Sequence, residues 1–394
     1  MIVLHVALWW SVREKLRAGY QDFTIFYAAG TTVLQGGGSG LYDSGLQSKI
    51  QRAVAPDAAL HKGPLPYLRI PVEAVIFVPF AKLPYFRAYL LWDLLNLLAL
   101  FIVLLTLRPH LSAFSGQPLA LGIVLALAFF PVFAGLLQGQ DILLLVSLLA
   151  LTYRALRRDA GLLAGCWLGL GLFRFTLVLP LALILAWRRP WKLMAGFGVT
   201  GGLMGLLSIA VVGWKAALHY PSYAIRAERA SMRQLTPWNM PNLRGLVSAV
   251  LRPVSSGKIV AEIAVLLTLA LLWYCLRQWN RNAAGDGLNL WFSLATVAAV
   301  LSSYHAYAYD LSVLLIPILL VANDCLARPT VTKNWAMMAP IAVLFFTPLH
   351  VILWFRMQLA SLWAVVLLFW LWAIAREISR ADFRSAKAYP GNMP

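Results

Sequence analysis

Long apolar stretches fill the chain from Tyr85 onward, divided by short basic or Gly- and Pro-containing breaks. They cover 85–107, 118–137, 141–154, 160–173, 175–187, 191–213, 257–277, 287–303, 309–322, 334–352 and 357–376, with a partial stretch at 1–12. A bilayer core of roughly 30 Å takes about 20 apolar residues of helix, and many of these stretches approach that length. The apolar residues run continuously and do not alternate, which excludes a transmembrane β-barrel. The pattern predicts an all-α polytopic membrane protein of about 11–12 membrane helices. It forms a single domain over 1–394, with no internal repeat and no separate soluble domain.

Two stretches, 160–173 and 175–187, are too short to cross comfortably alone. Arg174 separates them and Pro180 follows. They read as two half-length helices meeting inside the protein, where irregular backbone is tolerated only if it is buried or lines a cavity. The stretch 1–12 is about half a span and lacks the basic segment of a signal peptide. A first helix shortened by a late start codon is the expectation.

Composition sharpens the class. Hydrophobic residues make up 61% of the chain and mean hydropathy is +0.75. The net charge of +18 raises nucleic acid as a partner. The short basic loops account for it better, because cytoplasmic loops of membrane proteins collect Lys and Arg. Arg154, Arg157 and Arg158 mark one such loop, Arg188, Arg189 and Lys192 the next, and Arg277 and Arg281 a third. Arg376, Arg380, Arg384 and Lys387 mark a cytoplasmic C-terminus. No nucleic acid is expected. Cys166, Cys275 and Cys325 have no paired spacing, so neither a disulfide nor a metal site is read from them. Cys325 is placed in a cytoplasmic loop.

The opposite face then collects the loops 13–84 and 214–256, the turn Gln138-Gly139-Gln140-Asp141, the Arg174 turn and Ser302-Ser303-Tyr304-His305. Loop 13–84 is itself helical in pattern. Phe23, Phe26 and Tyr27 recur at i, i+3 and i+4 and share one helix face. A Gly-rich turn over 36–40 follows, then a helix near 44–54. An apolar run from Val72 to Phe80 is short enough to lie in the interface.

Few carboxylates compete for a role. Asp159, Asp286, Asp324, Glu377 and Asp382 fall in cytoplasmic loops, and Asp93 and Glu262 within spans. Asp57 has nothing around it. Asp43 reads as a turn or cap, and Glu228 as charge-paired between Arg226 and Arg229. Asp22 stands at the start of the first outer helix. Capping preference alone accounts for that position and is the first reading; a base aimed into a cavity is the functional one. Asp141 reads first as the N-cap of the helix after it. Glu73 lies four residues after Arg69, a spacing that pairs them along one helix face. Arg174 is costly at membrane depth, so a partner or a water-filled cavity is expected. Arg244 precedes an apolar helix. His305 sits among Tyr304, Tyr307 and Tyr309 beside Asp310, and polar groups so placed tend to line a pathway or site.

These residues resemble a known family. Asp22-Phe23 with Phe26-Tyr27-Ala28-Ala29-Gly30, followed by Gly38 and Leu41-Tyr42-Asp43, resembles the first outer loop of glycosyltransferase family 87. Leu68-Arg69-Ile70-Pro71 and Val78-Pro79-Phe80-Ala81-Lys82-Leu83-Pro84 match that family's Pro-rich stretch loosely. Gly139-Gln140-Asp141 resembles its Gly-Gln-Asn turn, and Leu172-Phe173-Arg174-Phe175 occupies the place of its Leu-Lys-Pro. The resemblance implies a GT-C fold. It also implies transfer of a hexose, with mannose expected, from a polyprenyl-phosphate donor to a lipid or glycan acceptor. The reaction would be inverting and lie on the non-cytoplasmic face of the cell membrane, in contact with membrane lipids. Asp22 occupies the place of the family's general base. Arg174, Arg244 and His305, with Arg69 and Tyr304, are expected near the donor phosphate, and Asp141, Glu73 and Tyr27 along the cavity. No cofactor is expected, since Arg and His can supply the positive charge. The Gly36–Gly40 run lacks the Lys-Ser/Thr of a nucleotide-binding loop. A polyprenyl-phosphate-arabinose transferase and a lipid or sugar transporter, which also uses broken helices and buried Arg, are the alternatives.

Overall fold

The computed structural model describes residues 1–56, 65–187, 190–231, 236–251, 257–278, 287–327 and 335–388. Asp57, Arg188, Arg189, Arg281 and Asp286 lie outside these, and so do the side chains of Glu228, Asp382, Arg384 and Lys387. Within the described residues every regular element is a helix. α1 (Ile2–Arg17) packs on the bundle through His5, which bonds Leu127 and Thr347, and the outer-loop part carries α2 (Phe23–Leu34), α3 (Ser44–Val54) and α4 (Pro71–Ile76). The bundle follows with α5 (Tyr85–Leu107), α6 (Leu119–Ala128), α7 (Phe130–Gln138), α8 (Ile142–Arg157), α9 (Gly161–Leu170), α10 (Phe175–Ala186) and α11 (Pro190–Ser231). Then come α12 (Leu243–Leu251), α13 (Gly257–Arg277), α14 (Gly287–Ser302), α15 (Leu315–Ala327), α16 (Trp335–Leu344), α17 (Thr347–Val351) and α18 (Leu362–Ala388).

The chain is an all-α polytopic membrane protein. Among the described residues six helical runs are long and apolar enough to cross a membrane, or eight if two bent pairs each count as one span. That is fewer than the sequence pattern suggests. The missing spans are short helices in the interior. α8 has 16 residues and α14 has 16, and both are packed on nearly every side. A helix enclosed by protein need not match the hydrocarbon thickness by itself.

The apolar run Gly161–Ala186 would pass for one span on length alone. Its packing makes it a hairpin. A straight 26-residue helix would part its ends by about 37 Å. Yet a methyl added at Gly161 would lie 3.3 Å from Cβ of Lys192, only six residues beyond Ala186. Six residues reach at most about 21 Å, so the run folds back on itself. The fold-back falls at Arg174, whose backbone (φ −112°, ψ 52°) leaves the helical region. α11 then runs beside α9 in the same direction, Gly165 against Leu193 and Gly169 against Thr200. The two half-length helices read from the sequence are therefore present. The contact is backbone to backbone: a Cβ on Gly165 would sit 2.0 Å from the Leu193 carbonyl oxygen. Small residues permit such an approach between membrane helices.

The predicted boundary at 213 is also a break, of a different kind. Gly213 adopts φ 78°, ψ 161°, and the helix resumes beyond it. The second outer loop thus begins as helix. Asp324 and Cys325, expected in a cytoplasmic loop, are buried in α15, which runs on to Ala327.

Arg154 and Arg157 close α8 and Arg277 closes α13, near one end of the bundle. The turn 138–141, the Arg174 fold-back and the segment 303–310 meet at the other end, under the helices of the first loop.

Candidate functional site

The site is built on α2 and on the turn after α7. Phe23 and Phe26 bury completely or nearly so, Phe26 stacking on Phe77 at 4.9 Å and Phe23 meeting Tyr89 edge-on at 5.8 Å. Tyr27 donates its hydroxyl to the Leu83 carbonyl at 2.7 Å. This aromatic face therefore packs the first outer loop together and onto α5. It does not line a sugar platform, and Tyr27, expected along the cavity, is spent on Leu83. Residues spaced for one helix face meet whatever packs on that face, here α4 and α5.

Gly139 ends α7 in the left-handed conformation, φ 59°. A side chain there would strike Cβ of Phe23 at 2.7 Å, so glycine is required on both counts. Trp92 Nε1 fixes the turn by donating to the Gly139 carbonyl at 3.0 Å. The flanking glutamines grip Asp22 from both sides. Its backbone N–H donates to Gln138 Oε1 at 3.1 Å, and Gln140 Nε2 donates to Asp22 Oδ2 at 2.7 Å.

Neither expected aspartate cap forms. Asp22 stands at the N-cap of α2 and Asp141 at that of α8, but neither side chain accepts a bond from its own helix. Asp43 does cap α3, accepting from Gly45 and Leu46. Asp22 and Asp141 have been drawn away by stronger partners.

Arg174 is that partner for Asp141. Its guanidinium donates to Asp141 Oδ1 from both Nε and Nη2, to Asp310 Oδ1 from Nη1, and to Gln140 Oε1 from Nη2. Its own Cζ lies 5.3 Å from the Tyr309 ring. Only 3% of Arg174 is exposed, so the buried charge expected at this depth is fully committed inside the protein. Asp310 Oδ2 accepts in turn from the Tyr307 backbone N–H at 2.8 Å. Arg174 thereby orients Gln140, and Gln140 orients Asp22.

Arg69 approaches the same set from the outer loop. Its Nη2 lies 3.7 Å from Asp141 Oδ1 and 3.4 Å from Gln140 Oε1. It precedes α4 rather than sharing a helical face with Glu73, so the expected i,i+4 pair is replaced by this contact. Glu73 is 1% exposed, and its carboxyl lies against that of Asp141, a contact that becomes a hydrogen bond when Glu73 keeps its proton. Burial, and then the nearby Asp141, push its carboxyl well above the usual range. Asp22 is the one acid of the set that is only partly buried. Burial still raises its carboxyl above the usual carboxylate value, against the pull of Gln140 and the two arginines.

A second group adjoins this one along the chain. The Arg244 guanidinium lies 3.8 Å from the Tyr304 ring centroid and donates to the Tyr304 carbonyl at 3.2 Å. Tyr304 meets His305 edge-on at 5.0 Å, and Asn242 Nδ2 holds the Ser303 carbonyl at 2.7 Å. Arg244, Tyr304 and His305 thus come together, while Asp22, Arg69, Glu73, Asp141 and Arg174 form the other set. Gln138, Gln140, Tyr309 and Asp310, read from the sequence as lying on this face but given no role there, join it. Their signal was present as polar residues at the breaks of apolar helices. Among the described residues no group of three or more His, Cys, Asp or Glu could hold a metal ion.

Searches of curated proteins and of solved structures return no match. A family model described as glycosyltransferase family 87 matches residues 70–303, which takes in Glu73, Gln140, Asp141, Arg174 and Arg244 and stops short of Asp22 and Asp310. The match covers more than half of the chain, so the protein belongs to glycosyltransferase family 87 and is a membrane glycosyltransferase.

Proposed function

We propose that the protein transfers a hexose, mannose first, from a polyprenyl-phosphate donor to a lipid or glycan acceptor on the non-cytoplasmic face, with inversion. The observation that carries the reading is Asp22. It is the one acid of the charge cluster that is not fully buried, steered by Gln140 at 2.7 Å and raised in basicity by burial. Displacement at an anomeric carbon needs a base for the acceptor hydroxyl and cations for the departing phosphate. Asp22 takes the first role. Arg174 is committed to two carboxylates and a glutamine, so the phosphate role expected of it passes to Arg244, with His305 and Tyr304, and to Arg69. Arg174 becomes a positioning residue. The acceptor oxygen attacks the anomeric carbon as its proton moves to Asp22, and the bond to the phosphate oxygen breaks with the electron pair leaving on the polyprenyl phosphate. The basic residues at the far end of the bundle support the assignment of the site to the non-cytoplasmic side.

The test is an assay of purified protein in nanodiscs with radiolabelled polyprenyl-phosphate mannose and a membrane lipid extract, repeated across pH. Label should move into the extract. The rate should fall toward acid with a midpoint above the usual carboxylate range near about 4, because the base must be deprotonated. Transfer from a nucleotide sugar and none from the polyprenyl phosphate overturns the donor. A rate flat through that acid range removes the carboxylate base.

A further inference from the structure

The second half of α11 forms one wall of a cleft of about 560 Å³ that the transfer reaction does not call upon. Lys215, His219, Tyr223 and Arg226 line it from this helix, spaced i, i+4, i+8 and i+11, a single stripe. The facing wall is Tyr42 and Asp43 of the first outer loop. Tyr42 is rigidly set: its ring packs against Tyr220 and Tyr223 at 5.0 Å each, and its hydroxyl donates to the Arg69 carbonyl at 2.9 Å. Asp43 has one carboxylate oxygen tied to the N–H groups of Gly45 and Leu46.

The Gly213 break makes the cleft. Its φ of 78° with ψ of 161° is a conformation almost confined to glycine, and it turns the helix stripe toward Tyr42. Trp214, 63% exposed beside the break, is an aromatic of the type that settles at the membrane–water boundary. The cleft therefore combines three cationic or protonatable side chains with tyrosine walls at the depth of lipid headgroups. Cations bind phosphate by charge-assisted hydrogen bonds, and tyrosine faces accept the apolar side of a polyol.

We propose that this cleft binds a phosphate group carried on a membrane-surface headgroup. None of the cleft's lining side chains belongs to the charge cluster around Asp22, which the cleft adjoins through the Tyr42–Arg69 contact, and its test does not depend on transfer activity.

The full chain in dodecyl maltoside micelles, which bring no phosphate, is titrated by calorimetry with dihexanoyl phosphatidylglycerol and, separately, with inorganic phosphate. The comparison is a Lys215→Gln/His219→Gln/Arg226→Gln variant, whose three sites are exposed and leave the core untouched. The lipid should bind saturably, weaken with salt, and lose about tenfold or more in affinity in the variant. Competition by inorganic phosphate places the recognition on the phosphate. Binding of inorganic phosphate alone, lost in the variant, keeps the phosphate site and moves its source to a soluble anion, which overturns the headgroup. Equal affinity in variant and parent, or no saturable binding of either probe, overturns the site.

Discussion

The bundle buries polar groups at both ends, and the two ends handle them differently. At the basic end Tyr153 donates to Asn289 Oδ1 at 2.6 Å, and Asn289 Nδ2 donates to Asp324 Oδ1 at 2.7 Å. Asn323 accepts the Ala113 backbone N–H at 2.9 Å. This network ties α8, α14, α15 and the loop after α5, and none of its buried side-chain atoms lacks a partner. At the other end four acids and two arginines crowd together, and Glu73 meets Asp141 carboxyl to carboxyl, a pair satisfied only while Glu73 holds a proton. Two carboxylates sharing a site cannot both ionise without cost. A satisfied network is what structure alone requires. One that depends on a held proton is costly for folding, and perturbed groups of this kind gather at functional sites.

Ordered by their cost in stability, three substitutions sharpen that contrast. Arg174→Met strips the cation from Asp141 and Asp310, both almost fully buried. Breaking a buried ion pair from one side costs about 3–5 kcal/mol. Melting in detergent should show a large loss, with transfer falling alongside it. An unchanged melting temperature would mean that the two carboxylates are held by something else. Asn289→Leu removes the hub of the basic-end network at similar volume. It should cost about 1–3 kcal/mol for the stranded partners while transfer per folded molecule stays unchanged. Loss of transfer without loss of stability would erase the distinction between the two ends.

The smallest effect is on pH dependence. Glu73 is raised in the folded protein, so the native state holds a proton that the unfolded state releases above about pH 4. The stability it contributes is present below that value and lost as pH rises through the native one. Glu73→Gln should flatten the decline of melting temperature with pH between the two. An identical slope in the variant would show that Glu73 titrates normally.

Much of this was legible in order along the chain. The Arg174 fold-back followed from two apolar runs too short to cross, and the Asp43 cap from its place before a polar helix. What the sequence could not assign were the partners. Gln140 meets Asp22 across 118 residues and Asp310 meets Arg174 across 136. Local capping preference, worth about 1 kcal/mol, favoured the caps at Asp22 and Asp141. Charge-assisted bonds worth about 1.5–3 kcal/mol won in the fold. The aromatic face of α2 carried the same ambiguity, since an apolar stripe looks alike whether a sugar or α5 will cover it. Short interior helices were read as spans because hydropathy does not distinguish lipid from protein as the neighbour.

The central claim is that Asp22 is the base and not a cap. Asp22→Asn separates the two, since its side chain makes no bond to its own helix and asparagine can still accept from Gln140. Melting temperature and transfer rate are measured on one nanodisc preparation. The account predicts unchanged melting and a rate lower by about 10²–10⁴-fold. Unchanged melting with a rate near that of the parent would contradict it.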